Sequence, residues 1–182
     1  LLATYDSQTS VENIDFTTAS DFNGYSYKKH VFVVRRLHGY SSNDGFGMTM
    51  MMKLFLGGSL VTSDVYGYCS NNIQTNGTEN ETHSNLDDNI LISYPNQNGT
   101  NSNNNRLMSG TVEVYNANES KQTNFIFNTI YHSGQNYLSS AVVRSSGMGI
   151  MRDMTALTGI RFTNNQGAVL RGYISLYGVG QI

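Results

Sequence analysis

The sequence is poor in several residue classes, and each shortage excludes a class of protein. It contains one cysteine, which rules out an internal disulfide framework and any cysteine-rich zinc site. Only 13% of the residues are charged, and the 11 lysines and arginines do not supply the clustered cations of a nucleic-acid clamp. No apolar run is long enough to span a bilayer. The sequence therefore predicts no nucleic-acid partner and no membrane span.

Most polar residues of the chain are uncharged. The chain has 22 Asn, 20 Ser and 16 Thr, together with 18 Gly and 12 Tyr. Asn disfavours helix interiors because its side chain competes for backbone hydrogen-bond partners, and it tolerates turn conformations. Thr and Tyr favour strands. The composition is that of an all-β protein.

Alternation of apolar and polar residues predicts the architecture. Val112 and Val114 share one strand face, as do Ile174 and Leu176, and turn signals separate such segments. This pattern is typical of a two-sheet β-sandwich, and a count of roughly eight or nine strands favours a jelly roll. We expect residues 1–26 to form an N-terminal arm or first strand and residues 27–182 to form the sandwich domain. The stretch from Met148 to Leu157 suggests one helical turn.

An asparagine-rich segment interrupts this pattern. Residues 70–105 hold 12 of the 22 Asn, with one apolar interruption at residues 90–92. We expect a loop insertion here, with a short strand at 90–92 between long loops at 71–89 and 95–105. Long loops inside a compact domain are often functional, whereas asparagine-rich tracts are also simply low-complexity sequence. Recognition and passive insertion both remain open.

Motifs for catalysis or metal binding are weak. Cys69 has no histidine or basic residue beside it in the sequence, which favours a small, partly buried and inert thiol. The histidines show no zinc-ligand spacing. Asp87 and Asp88 form the one adjacent acidic pair of the long loop, a candidate for calcium with nearby Asn carbonyls, but two loop aspartates are more often solvated. We expect no enzyme, no cofactor and no metal site.

Tyrosine and asparagine supply the chemistry of a contact surface. Tyrosine rings stack on apolar faces and amides bond hydroxyl groups, although tyrosines also close strand ends. The tyrosines considered for contact are Tyr40, Tyr66, Tyr68, Tyr94, Tyr131 and Tyr137. The candidate ligand-binding residues are His83, Asp87, Asp88, Tyr94, Asn96 and Asn98. Methionines beyond the needs of a core, among them Met148 and Met154, suggest a subunit interface.

The last strands resemble the ending of a family of tailed-bacteriophage virion modules. That ending reads Ile-x-x-Ile-Arg-Phe followed by Gly-x-Ile-x-Leu-Tyr-Gly. Residues 156–162 of this chain are similar to the first part, with Leu157 in place of its first Ile, and residues 172–178 match the second part. Smaller pieces agree, including residues 14–16 and 109–114. The resemblance implies a jelly-roll-like sandwich in tail fibres, head fibres or capsid decorations, and it carries no catalytic residue. The asparagine-rich insertion and the lack of tryptophan depart from the family pattern.

The resulting hypothesis is a non-enzymatic virion structural protein, located in the extracellular particle, with a contribution to host attachment. Its partners would be other virion proteins, further copies of itself and a host surface glycan. Apolar residues on both faces of 27–37 and 48–56 predict a homo-oligomer, for which the fibre-type resemblance suggests a trimer. A secreted carbohydrate-binding module is the alternative, and a polysaccharide-degrading domain is the weaker alternative.

Overall fold

A computed structural model of the chain describes residues 1–17, 27–40, 49–93, 107–117, 119–133, 141–165, 167 and 169–181. These residues form thirteen β-strands: β1 (Ala3–Val11), β2 (Ile14–Phe16), β3 (Tyr27–Tyr40), β4 (Met50–Leu56), β5 (Ser59–Leu60), β6 (Tyr66–Gln74), β7 (Glu79–Asp87), β8 (Ile90–Leu91), β9 (Met108–Tyr115), β10 (Thr123–Ser133), β11 (Ala141–Met151), β12 (Leu157–Asn164) and β13 (Val169–Gln181). None of the described residues is helical, and none belongs to a helix that could cross a membrane.

The strands form two sheets. The large sheet has eight strands in the order β1-β13-β3-β9-β10-β11-β6-β7, and every pairing in it is antiparallel. The small sheet has the order β2-β12-β4-β5, and β8 also pairs with β4. The prediction of an all-β fold with two sheets is confirmed.

Alternating burial explains why these segments become strands. On β10, Phe125 and Phe127 are buried while Ile126 and Ile130 point to the opposite face and are about half exposed. A strand places successive side chains on opposite faces, so one face of the large sheet enters the core and the other meets solvent. We call the solvent side of the large sheet the outer face.

Aromatic side chains join the two sheets. The Phe32 ring, from β3 of the large sheet, lies 5.2 Å from the Phe16 ring and 5.3 Å from the Phe162 ring, measured between centroids. Phe16 and Phe162 come from β2 and β12 of the small sheet, and all three rings are buried. The edge-to-face geometry of these pairs is a favourable arrangement of aromatic quadrupoles. This cluster forms part of the core between the sheets.

Two sequence pieces that carry the virion resemblance are direct neighbours in the small sheet. Residues 14–16 pair with residues 160–162, so that Asp15 lies opposite Arg161. The Arg161 guanidinium donates two hydrogen bonds to the Asp15 carboxylate, at 2.8 Å and 2.6 Å, and its cation lies 5.3 Å from the Phe55 ring centroid. A bidentate fork fixes orientation as well as attraction. The apolar neighbours on both strands face the core, and the central ion pair sets the register.

Tyr66 links the two sheets through a hydrogen bond. Its side chain is fully buried, and its hydroxyl oxygen accepts a hydrogen bond of 3.0 Å from the backbone N–H of Leu54 on β4. Burial raises the pKa of Tyr66 from 10.0 to about 12, with a smaller contribution from the charge of Asp88. The hydroxyl therefore stays protonated in the folded protein under conditions in which an exposed tyrosine ionises.

We expect Tyr66→Phe to lower the free energy of unfolding at neutral pH by about 1–3 kcal/mol, because it leaves a buried N–H without its acceptor. In the native protein, the stabilisation contributed by the protonated Tyr66 hydroxyl is fully present below the unfolded pKa of 10.0. It falls as pH rises from 10.0 towards about 12, because in that range only the unfolded chain releases the Tyr66 proton. Urea titrations at about pH 8 and about pH 11 measure both effects, and the variant should lose less stability on alkalinisation. If Tyr66→Phe lost as much stability at alkaline pH as the native protein does, this role would be contradicted. Tyr177→Phe on the outer face is the control.

The structure corrects several details of the sequence prediction. The described chain has thirteen strands rather than eight or nine, three of them only two or three residues long. The expected loop at 71–89 is largely a hairpin of β6 and β7, because polar side chains alternate in and out there as apolar ones do elsewhere. The strand expected at 90–92 is present as β8, and 95–105 lies outside the described residues. The expected helical turn after Met148 is instead the end of β11, followed by non-helical chain.

The N-terminal region is also more ordered than an arm. Its described residues supply β1 to the edge of the large sheet and β2 to the small sheet. Val11 is the last paired residue of β1 with β13, and Ile14 on the other sheet is buried in the core. The described part of this region therefore crosses from one sheet to the other.

Candidate functional site

The outer face of the large sheet presents large apolar side chains to solvent on three adjacent strands. Four of them are substantially exposed: Ile73 (41%) on β6, Ile126 (48%) and Ile130 (52%) on β10, and Met148 (60%) on β11. The register places Ile126 directly opposite Met148, whereas Arg144 lies between Ile130 and Ile73. Neighbouring exposed apolar side chains such as Ile126 and Met148 mark candidate contact sites.

A shallow depression, which we call the outer groove, lies in this face. Its main part encloses about 540 Å³ and an adjoining part about 320 Å³. Gly67 and Gly149 lie in its lining, while Met148, Ile126 and Ile150 supply apolar surface. Gly67 lies opposite Ile150 and leaves the outer face of β6 without a side chain at that position, whereas a Cβ at Gly149 would point towards the buried Ile90.

Polar groups border the apolar surface. Next to Ile126, the Lys29 ammonium donates a 2.8 Å hydrogen bond to the Glu113 carboxylate, and the Tyr115 hydroxyl donates to the same carboxylate. These hydrogen bonds lower the pKa of Glu113, the Lys29 bond first and the Tyr115 bond second. Among the apolar side chains, Arg144 lies between Ile130 and Ile73 and donates a 3.2 Å hydrogen bond to the Asn128 side chain. Protein interfaces commonly combine apolar and polar groups in this way.

Of the predicted ligand-binding residues, one lies in the outer groove. His83 is exposed on β7 and lines both parts of the groove. Tyr94, Asn96 and Asn98 lie outside the described residues. Asp87 is the last residue of β7 and Asp88 follows it, and neither lines the groove. The structure therefore does not bring the predicted ligand-binding residues together as one site.

Asp87 and Asp88 make structural contacts. Lys53 of β4 forms a 2.7 Å ion pair with Asp88, and this hydrogen bond is the main cause that lowers the pKa of the Asp88 carboxyl. Desolvation is the main cause that raises the pKa of Asp87, which also accepts hydrogen bonds from the backbone of Asp88 and the side chain of Asn89. The two carboxylates therefore sit in different environments, and one is already neutralised by a lysine.

The tyrosines described by the structure are divided between core and surface. Tyr66, Tyr68 and Tyr131 are buried, which contradicts their use as a contact surface and agrees with tyrosines that pack within strands. Burial also raises the pKa of Tyr68 to about 12, helped by the charge of Asp87. The side chains of Tyr40, Tyr94 and Tyr137 lie outside the described residues. Ring stacking on a ligand therefore has no support from the described members of this set.

Sequence reasoning missed the residues that form the groove. Cys69 is exposed rather than partly buried, because its position on β6 points to the outer face. Among the methionines, Met50, Met52 and Met151 are core residues, whereas Met148 and Met154 are exposed. A usable signal lies in β10, where Phe125 and Phe127 occupy one face and Ile126 and Ile130 the other, so that a single core cannot bury both pairs.

Among the described residues, no three side chains drawn from His, Cys, Asp and Glu come together as a metal site. Comparisons with protein-family models, with curated proteins and with solved structures gave no match.

Proposed function

We propose that this chain is a non-enzymatic structural module of a tailed-phage virion, located in the particle, where the outer face contacts neighbouring virion proteins including further copies of the chain. The single observation that carries the proposal is the exposed apolar surface of β6, β10 and β11 with its polar border. Burying such a surface against a partner removes apolar area from water at a gain of about 25 cal/mol per Å².

The pairing of residues 14–16 with residues 160–162 supports the family assignment within this proposal. The resemblance was carried by pieces far apart in the sequence, and the fold places these two side by side with the Asp15–Arg161 ion pair between them. A chance similarity of isolated hairpins has no reason to select two strands that pair with each other. The pieces act as one structural unit.

The glycines of the final strand support it further. Gly172 has a φ of 139° and its missing Cβ would lie 2.7 Å from the Arg36 carbonyl oxygen, at the irregularity where β13 pairs with β3. At Gly178, a Cβ would lie 2.4 Å from the Tyr27 ring. Both glycines of the resembling ending therefore occupy positions where a side chain does not fit. The sequence pattern reflects a packing requirement.

The double variant Ile126→Glu with Met148→Glu should abolish association through this face. Placing two carboxylates against an apolar partner surface costs several kcal/mol, about a hundredfold or more in affinity. The fold should remain, because both substituted positions are exposed. Analytical ultracentrifugation of the purified chain should show the native protein as an oligomer and the variant as a monomer. Met154→Glu, at a 62% exposed methionine outside the groove lining, is the matched control. Identical sedimentation of both variants and the native protein would contradict the proposed interface.

The virion assignment is tested on particles encoded by the genome that carries this sequence. Quantitative mass spectrometry of purified particles should find the chain in multiple copies, and gold-labelled antibodies should place it at fixed positions on them. Absence from the particles, with binding of the isolated chain to a glycan array, would instead support a carbohydrate-binding module. Release of shortened glycans would support the polysaccharide-degrading alternative.

A further inference from the structure

Three strands of the outer face bring three soft ligand side chains into one row. Met148 on β11 lies directly opposite Cys69 on β6, and Cys69 lies directly opposite His83 on β7. All three residues are exposed, and all three line both parts of the outer groove. Directly opposed residues on one sheet face have Cβ atoms about 4.5–5.5 Å apart. A thiol therefore stands between an imidazole and a thioether on the same surface.

The three donors share a preference among metals. Thiolate and thioether sulfur select monovalent copper, and imidazole also suits copper. Calcium and magnesium prefer oxygen ligands, and a structural zinc site normally has four nitrogen, sulfur or carboxylate ligands. Among the residues lining the two parts of the groove, Glu81 is the carboxylate, and it lies in the adjoining part opposite Asn71 rather than in the row.

We infer that Cys69, His83 and Met148 bind one monovalent copper ion in the outer groove. The Cys69 thiol releases its proton to solvent as its sulfur forms a bond to copper, His83 contributes the lone pair of a neutral ring nitrogen, and Met148 contributes its thioether sulfur. The copper stays monovalent, so the step needs no oxidant or reductant. The positive charge of the ion is balanced by the thiolate.

The apolar surroundings favour this ion. Ile126 continues the row beyond Met148, and Ile150 lies beside Gly67 at the groove floor. These aliphatic side chains add no oxygen ligand that would compete with the sulfur and nitrogen donors. Arg152 is the cation of the groove lining, and the neutral copper–thiolate unit avoids repulsion from it.

The test titrates the full-length reduced chain with copper(I) under anaerobic conditions, with bicinchoninate as a competing chelator. We expect one tightly bound copper per chain, a thiolate-to-copper charge-transfer band in the ultraviolet, and X-ray absorption that reports two sulfur ligands and one nitrogen ligand. Cys69→Ser should abolish the band and weaken binding at least about a hundredfold, since loss of even an outer partner costs about 10–100-fold. Zinc(II) should bind much more weakly than copper(I).

His83→Gln and Met148→Leu decide between a three-ligand site and a lone reactive thiol. Each should weaken copper binding by about tenfold or more and remove its own ligand from the X-ray absorption signal. His132→Gln and Met154→Leu are the matched controls, because both residues lie outside the groove lining, and they should bind as the native chain does. Native-like affinity in His83→Gln and Met148→Leu would overturn the site, as would copper binding that survives Cys69→Ser. Circular dichroism confirms that each variant is folded.

Discussion

Phe32→Ala should lower the free energy of unfolding by about 3–5 kcal/mol, the range for removal of a buried aromatic ring. The Phe32 side chain is 0% exposed, and its ring contacts Phe16 and Phe162 from the opposite sheet. Removal leaves a cavity between the sheets that their hydrogen-bonded strands prevent from closing. Loss of the ring also removes two edge-to-face contacts that cross the core.

Urea denaturation followed by circular dichroism measures this loss. Val33→Ala is the control, because Val33 is the next residue on β3 but points to the outer face and is half-buried, so its truncation should cost much less. A double-mutant cycle with Phe16→Ala should give a coupling of about 0.5–3 kcal/mol, as expected for residues in contact. A loss in Phe32→Ala as small as that in Val33→Ala would mean that the ring cluster does not join the sheets.

Sequence periodicity predicted the strands in which buried apolar residues alternate with more exposed ones. On β9, Val112 and Val114 are both buried as expected, and on β13 the same holds for Ile174 and Leu176. Burial with a period of two follows directly from strand geometry, so a sequence alone reveals it. The periodicity does not show which strands pair with each other. Nothing in residues 14–16 identifies residues 160–162 as neighbours until both are placed in the sheet.

The hairpin of β6 and β7 shows where periodicity fails. The inward positions of β6 include Ser70, Asn72 and Gln74, all buried. The Asn72 amide nitrogen donates hydrogen bonds to the Ser70 hydroxyl and to the Asn80 carbonyl, both at 3.3 Å. A polar residue buried with partners and a polar residue in a loop look alike in sequence. The segment was therefore expected to be a loop.

The outer groove was unpredictable for a related reason. Cys69 was judged by its sequence neighbours, which include no histidine, whereas its neighbours in space come from β7 and β11. Register decides these contacts, and a shift of one residue would turn Cys69 into the core. His83 was selected as a candidate because it lies in the asparagine-rich segment, and the structure retains it for a different reason. His83 is a candidate ligand because the Cys69 thiol lies opposite it on β6.

Gly147→Ala should destabilise the protein by about 1–3 kcal/mol or more, as overpacking of a filled core does. An added Cβ at Gly147 would lie 2.4 Å from the Cys69 carbonyl oxygen, 2.5 Å from the Phe127 ring and 2.7 Å from the Ser70 Cβ. The first of these contacts is with backbone, so no side-chain rotation relieves it. Strands β11 and β6 would have to separate, which would weaken their ladder of hydrogen bonds.

Gly67→Ala is the matched control, because it also places a methyl group on this pair of strands, but on the outer face with its nearest heavy atom at 3.5 Å. Its stability should stay within about 0.5 kcal/mol of the native value. Thermal and urea unfolding compare the two variants, and equal stability of Gly147→Ala and the native chain would show that the strands yield without loss. The effect should also reach the outer face. Gly147 precedes Met148, so a displacement of β11 from β6 moves Met148 away from Cys69, and copper(I) affinity should fall in Gly147→Ala but not in Met154→Leu.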